Sequence, residues 1–247
     1  MNTQQKKTNQ NPFKITILTL YEESFPSHLG FGVVGRALKK GLWTLDVINI
    51  RDFAIGSYKK VDDKVFGGGK GLLLMPEVLS KAIEFAFDKG ASKNLIYPSP
   101  AGKVFNHSMS ESFSKLDGLT FICGHFEGID DRIIQKYKPM EISIGDYILS
   151  GGELSATVII DSVLRFVPYV LNSFECTEEE SFSNGLLEYP QYTQPASWQD
   201  MNVPEVLCSG NHKKIKEWRL QKSLEKTKEI RPDLFEKYVK DNSSNNK

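Results

Sequence analysis

Cysteine is scarce in this sequence, and an imbalance of charge is missing altogether. Cys123, Cys176 and Cys208 are the only cysteines and form no CxxC pair, which argues against a disulfide scaffold or a clustered zinc site. His28, His107, His125 and His212 have no short metal-ligand spacing, so no metal centre is expected. The 31 basic residues balance 31 acidic ones, so net charge does not announce a nucleic-acid partner, although balance can conceal a local basic face. No run of about eighteen apolar residues occurs, and the opening MNTQQKKTNQN lacks the apolar stretch of a signal peptide. The expectation is a cytoplasmic protein with no membrane segment. The opening tail and the closing DNSSNNK read as disordered ends.

The 247 residues are 40% hydrophobic, enough for a sizeable core in one or two domains. FKITILTL, Phe13 to Leu20, alternates Ile with Thr and reads as a strand. A helix around Val34 to Lys40, closed by Gly41, leads to a second strand in LWTLDVINI. Pro76 suits a first helical turn, and Leu79, Ala82, Ile83 and Ala86 form a stripe closed by Gly90 before the strand NLIYPSP. LTFICG and EISIG repeat the strand pattern. Ile159, Val163 and Phe166 then follow helical spacing until Pro168. Strands separated by helices predict an α/β fold with a parallel sheet covered on both faces and ligands at the carboxyl ends of its strands.

Composition changes near Leu171. A polar, acidic stretch precedes YPQYTQPASWQDMNVP, where closely spaced prolines disfavour a long helix. HKKIKEWRLQKSLEKTKEIRP then carries eight Lys or Arg against three Glu. Ile215, Trp218 and Leu224 can supply its apolar side while Lys213, Lys214, Arg219, Lys222 and Lys226 remain available to phosphates; the bland alternative is a soluble Lys-rich surface. The expected division is 1–171 for the α/β domain, 172–186 for a linker and 187–247 for a small helical domain.

Two glycine motifs are poor matches to familiar phosphate sites. GFGVVG, Gly30 to Gly35, starts about nine residues after its strand, whereas a dinucleotide fingerprint follows a strand immediately. FGGGKG has Gly71 where a Walker loop needs Ser or Thr after Lys70, and reads as a loop near a ligand. More unusual are PSPAG, CGHFEG and SIGDYILSGGE, each placing glycine near a predicted strand end, where backbone can approach a flat ligand. Glu127 could accept from an amine or hydroxyl, and backbone from Ile144 to Leu149 could read an adenine edge; ordinary tight turns are the alternative. Arg165, four residues after Asp161, fits either a surface ion pair or stabilisation of charge on a nucleobase.

CGHFEGIDDR, EISIGDYILSGGE, SFSNGLL and GNHKKIKEWR, in this order, closely resemble the bacterial tRNA (guanine-N1)-methyltransferase family, TrmD, over roughly Lys14 to Leu234. The resemblance implies a SPOUT fold, in which the parallel sheet contains a deep trefoil knot, plus a small C-terminal helical domain. It further implies S-adenosyl-L-methionine as cofactor, a homodimer with active sites between subunits, and methylation of tRNA at N1 of guanine 37 when guanine 36 precedes it. A magnesium requirement stays open. By the same resemblance, Tyr97, Pro98, Ser99 and Gly102 belong to the first cofactor loop, and Gly124 and Glu127 to the second. Ile144, Gly145, Asp146, Tyr147, Ile148, Leu149, Gly151 and Gly152 belong to the third. Asp62, Gly67 and Gly68 match a loop near substrate and the dimer interface, and His212, Lys213 and Arg219 match the part that grips tRNA.

The sequence also departs from the family. His125 and Phe126 replace the usual Arg and Tyr, Ser155 and Gln194 replace a Pro and an Arg, and Glu22 replaces an early Pro. The SFSNGLL register places Glu180 where the family has the Asp assigned as general base, and Arg165 where an arginine acts on the target guanine. Glu178 and Glu179 read as solvated linker residues. The competing reading is a non-catalytic RNA-binding module of the same fold; a dinucleotide-dependent oxidoreductase is more distant.

Overall fold

The computed structural model describes residues 11–68, 71–171 and 179–244, the last without the side chain of Ser244. The two tails, Gly69 and Lys70 of the FGGGKG motif, and the first part of the expected linker, with Cys176 and Glu178, lie outside the described residues. The chain forms two compact units, Met1–Ser173 and Phe174–Lys247.

In the first unit, β1 (Phe13–Thr19), β2 (Trp43–Asn49), β5 (Leu95–Val104), β6 (Gly118–Ile122) and β7 (Met140–Ser143) build a parallel sheet in the order β2-β1-β6-β5-β7. β1 is buried at every position except Lys14, because both faces are covered. Ile15 and Ile17 point into one core with α1 (Gly32–Lys39), α3 (His107–Ser114) and α5 (Glu153–Leu164). Leu18 enters the other, with α2 (Pro76–Asp88) and α4 (Asp131–Tyr137). In α2, Val78, Leu79, Ala82, Ile83 and Ala86 form the buried stripe, Pro76 occupies the first turn, and Gly90 follows the cap at φ +87°. This is the α/β architecture the periodicity predicts.

Two local differences have physical reasons. β5 does not stop at PSPAG: Pro98 and Lys103 both face Ile142, so the intervening residues bulge and pairing resumes at Lys103 and Val104. Proline lacks the ladder N–H, and a bulge tolerates that loss. α5 ends at Leu164 rather than running to Pro168; Phe166 and Val167 donate to Val163 and Leu164, tighter i→i+3 bonds at the helix end. A short antiparallel pair, β3 (Asp62–Lys64) and β4 (Leu72–Leu74), lies between β2 and α2.

The second unit holds a hairpin, β8 (Ser197–Trp198) and β9 (Met201–Asn202), and the helices α6 (Glu205–Cys208), α7 (His212–Ile230) and α8 (Pro232–Ser244). Gln199 and Asp200, at φ +51° and +62°, make the two-residue turn with both central residues left-handed, which suits strand twist. Ile215, Trp218 and Leu224 are only partly buried on α7. Its fully covered positions are Ser223 and Thr227: Thr227 Oγ1 donates to Ser223 O at 2.6 Å and accepts from Leu187 N–H at 2.9 Å.

Candidate ligand pocket at the sheet edge

A pocket of about 240 Å³ opens where β5, β6 and β7 reach their carboxyl ends. Its walls are three chain segments. Tyr97, Pro98, Ser99 and Pro100 come from β5 and its bulge; Gly124, His125, Phe126, Glu127 and Gly128 follow β6; Ser143 ends β7, and Ile144, Gly145 and Tyr147 to Gly152 follow it. Ile142 and Ser155 complete the lining. Twelve residues expected at a cofactor site from the sequence thus converge: Tyr97, Pro98, Ser99, Gly124, Glu127, Ile144, Gly145, Tyr147, Ile148, Leu149, Gly151 and Gly152.

Gly102 and Asp146 stand outside that lining. Gly102 returns the bulge to the sheet, and a Cβ there would overlap the main chain of Glu141 and Ile142; Asp146 is exposed. Pro100, Gly128, Ile142, Ser143 and Ser150 lie in the quoted stretches but were not named individually as lining, and His125, Phe126 and Ser155 were treated only as departures from a pattern. Position next to the strand ends was the available signal for all of them.

Backbone contacts lock the loops together. Gly152 N–H donates to Gly124 O at 3.0 Å, and His125 and Gly151 form an isolated antiparallel bridge. A Cβ on Gly152 would lie 2.8 Å from Cys123 Cα, so only glycine permits this approach. Gly124 is similarly pressed against the Tyr97 ring. Burial, then the nearby Glu141 carboxylate, pushes the Tyr97 phenol up from its ordinary value, which keeps the hydroxyl protonated at neutral pH. Within the third loop, Gly145 N–H donates to Ser143 Oγ at 3.2 Å and Tyr147 N–H to Gly145 O at 3.0 Å.

Beside the pocket, His125 Nε2 lies 2.8 and 2.9 Å from the two Glu153 carboxylate oxygens, and the Thr19 hydroxyl donates to Glu153 Oε1. Cys123 is buried next to this network, and burial, with Glu153 second, pushes its thiol well up; it is an inert core residue.

The β3–β4 pair attaches to the same site. Glu127 N–H donates to Leu72 O and Leu74 N–H to Gly128 O, at 3.0 and 3.1 Å, while the Glu127 side chain lies against Gly71. Asp62 pairs with Leu74 across this hairpin, and Gly67 and Gly68 are exposed in its connection at φ +85° and +82°. The dinucleotide-like glycines have a packing role instead: a Cβ on Gly35 would overlap Gly30 O, where α1 crosses the preceding turn.

Arg165 caps the carboxyl end of α5 and is half-buried. Glu180 belongs to the second unit, where its carbonyl accepts from Ser183 Oγ at 2.7 Å. His212 and Lys213 open α7, exposed, after Asn211 caps the helix by accepting from Lys214 N–H. Arg219 is not free: Nη1 donates to Glu179 Oε2 at 3.0 Å. Glu179 is exposed, as expected, yet held in a specific pair.

A glycine-rich pocket at the carboxyl ends of a doubly wound parallel sheet is the place where α/β proteins of this class bind ligands. Comparison with known families narrows that class: the model of "tRNA (Guanine-1)-methyltransferase TrmD" matches residues 13–237, and the chain belongs to this family. Relatives named tRNA (guanine-N(1)-)-methyltransferase include one from Ruegeria sp. (strain TM1040), 48% identical over 228 residues, covering 92% of this chain and 93% of its own. Another, from Wolbachia pipientis subsp. Culex pipiens (strain wPip), is 46% identical, covering 90% of this chain and 97% of its own. A third, from Pelagibacter ubique (strain HTCC1062), is 48% identical, with 91% and 97% covered.

Proposed function

We propose that this chain methylates N1 of guanine 37 in tRNAs carrying guanine at position 36, using S-adenosyl-L-methionine. The observation that carries the reading is the convergence of three glycine-rich loops on one pocket in a chain of this family. The pocket suits a flat, polar ligand: Ile144, Gly145 and Tyr147 to Gly152 line it, Gly124 packs closely against the Tyr97 ring, and Glu127 offers a carboxylate for an amine or hydroxyl. When bound, the cofactor supplies an activated methyl group on a sulfonium.

The residues of this chain do the rest. Guanine N1 carries a proton near neutral pH, and a positioned carboxylate can remove it; in our reading Glu180 is that general base. Arg165 stabilises the negative charge that develops on the base as the proton leaves. His212 and Lys213 are assigned to tRNA, with the salt-sensitive binding that phosphate contacts confer, whereas Arg219, which the resemblance also gives to tRNA, is engaged by Glu179. Asp62, Gly67 and Gly68 are assigned to a substrate-side loop attached to the pocket by Glu127 and Leu72. The reading includes a trefoil knot, a homodimer whose active sites lie between subunits, a tRNA-binding C-terminal domain after the linker, and a cytoplasmic setting. Among the described residues no helix is long and apolar enough to cross a membrane.

The test is methylation of transcripts differing only at positions 36 and 37, with the modified atom mapped by mass spectrometry. Methylation confined to guanine 37 N1 after guanine 36 is expected; labelling elsewhere, or none despite cofactor binding by calorimetry, defeats the proposal. Glu180→Gln should lower the single-turnover rate by on the order of 100-fold or more, since general-base catalysis is commonly worth that much. A rate near wild type removes Glu180 as base.

A further inference from the structure

Glu179 and Glu180 are adjacent in sequence but differently held. Glu179 Oε2 accepts two hydrogen bonds, from the Tyr189 hydroxyl at 2.7 Å and from Arg219 Nη1 at 3.0 Å. The guanidinium carbon of Arg219 also sits 4.8 Å from the centre of the Tyr189 ring. Among the described residues its buried Nε has no hydrogen-bond partner. Burial, then the bond to Glu179, pushes the Tyr189 phenol up to about 12, so it remains a donor at neutral pH.

The Glu179 and Arg219 side chains are 60% and 39% exposed, and a pair so placed adds little to stability. Its importance is its location. On the other side of Glu180, the Glu180 carbonyl accepts from Ser183 N–H and Oγ, Phe182 N–H donates to Leu186 O, and Leu187 N–H reaches Thr227 on α7. The backbone at 180 is therefore anchored on both flanks, by a side-chain clamp before it and a hydrogen-bonded turn after it.

We infer that Glu179 is a positioning residue for methyl transfer: Arg219 and Tyr189 grip its carboxylate and thereby set where the neighbouring Glu180 carboxylate stands. The inference rests on the reading of Glu180 as base. It supplies what a base one methylene longer than the family's aspartate requires, a defined backbone position, because a misplacement of about 1 Å can cost on the order of 100-fold in rate. It also reassigns Arg219 from phosphate contact to clamp.

The test uses the full chain in single-turnover assays with saturating transcript and cofactor. Glu179→Gln and Arg219→Gln should each slow the rate by on the order of 10-fold, with transcript affinity within about twofold of wild type, and the double variant should be no slower than the slower single one. Tyr189→Phe removes one oxygen, keeps the ring under the guanidinium, and should slow the reaction in the same direction. The apparent pKa of the pH–rate profile should stay in place while its plateau drops, because the base is unchanged. A wild-type rate for Glu179→Gln overturns the inference, as does an Arg219→Gln variant that loses transcript affinity and salt dependence but keeps its saturated rate. Glu180→Gln run in parallel separates the two failures. If it is fast, the base assignment itself falls; if it is slow while Glu179→Gln is fast, the positioning role alone falls.

Discussion

His125 and Glu153 face each other through two short contacts, 2.8 and 2.9 Å from one ring nitrogen to both carboxylate oxygens, with each side chain only 13% exposed. A carboxylate can only accept, so Nε2 is the donor. Glu153 begins α5 and His125 belongs to the loop after β6, so this contact joins the second and third walls of the pocket. Tyr21 packs edge-on against the same imidazole, with ring centres 4.9 Å apart.

His125→Ala should leave the Glu153 carboxylate with the Thr19 hydroxyl as its remaining side-chain partner and cost about 1–3 kcal/mol, the range for stranding a buried polar group. Urea unfolding checks the stability, and calorimetry with S-adenosyl-L-homocysteine checks the pocket, where weaker binding is expected. His125→Gln, which can still donate to Glu153, should recover part of both.

Gly102→Ala should destabilise the fold more than it perturbs ligand contacts, because the added methyl overlaps the main chain of Glu141 and Ile142. Overpacking of this kind costs about 1–3 kcal/mol. A lowered urea midpoint is expected. If stability were unchanged while cofactor affinity fell, Gly102 would belong to the binding surface.

Glu84 titrates well below an ordinary carboxyl, at about 2, because the Tyr137 hydroxyl, Lys136 and Ser80 all favour its ionised form. The folded value lies under the unfolded one, so the stabilisation is present above the unfolded value of 4.5 and is lost as pH falls toward 2. The carboxyl carbon resonance of Glu84 should show this low midpoint. Tyr137→Phe should raise it toward the usual range.

Cys208 should react with a maleimide in the folded protein while Cys123 does not, since the first is exposed and the second buried with its thiol pKa raised. Peptide mapping before and after denaturation distinguishes them. Labelling of Cys123 under native conditions would mean that the core beneath the pocket opens.

Periodicity and punctuation were sufficient to read the strands and helices of the parallel sheet, because both-face burial gives β1 its apolar run and Pro76 and Gly90 bracket α2. The order β2-β1-β6-β5-β7 was not legible, since strand neighbours depend on contacts far apart in sequence. PSPAG looked like a strand end because two prolines remove ladder donors; only pairing with β7 reveals that the strand resumes. The three glycine loops at strand ends were legible from the residues themselves, and the family resemblance named the individual cofactor residues within them. The link between His125 and Glu153 was not legible, because it spans 28 residues and joins two separate motifs whose pairing no local spacing reveals. Glu179 read as solvated, correctly for exposure, but its partners Tyr189 and Arg219 lie ten and forty residues away.

The hydroxyl seam of α7 has a consequence for how its charges are presented. A helix this polar has no apolar stripe strong enough to dictate its rotation about its own axis. Thr227 supplies that constraint by bonding Leu187, and Lys226 reinforces it by donating to Glu188 O at 2.9 Å. The azimuth of every lysine along the helix is thus indexed to the main chain at Leu187 and Glu188, and a single threonine acts as the key that keeps the basic face in phase.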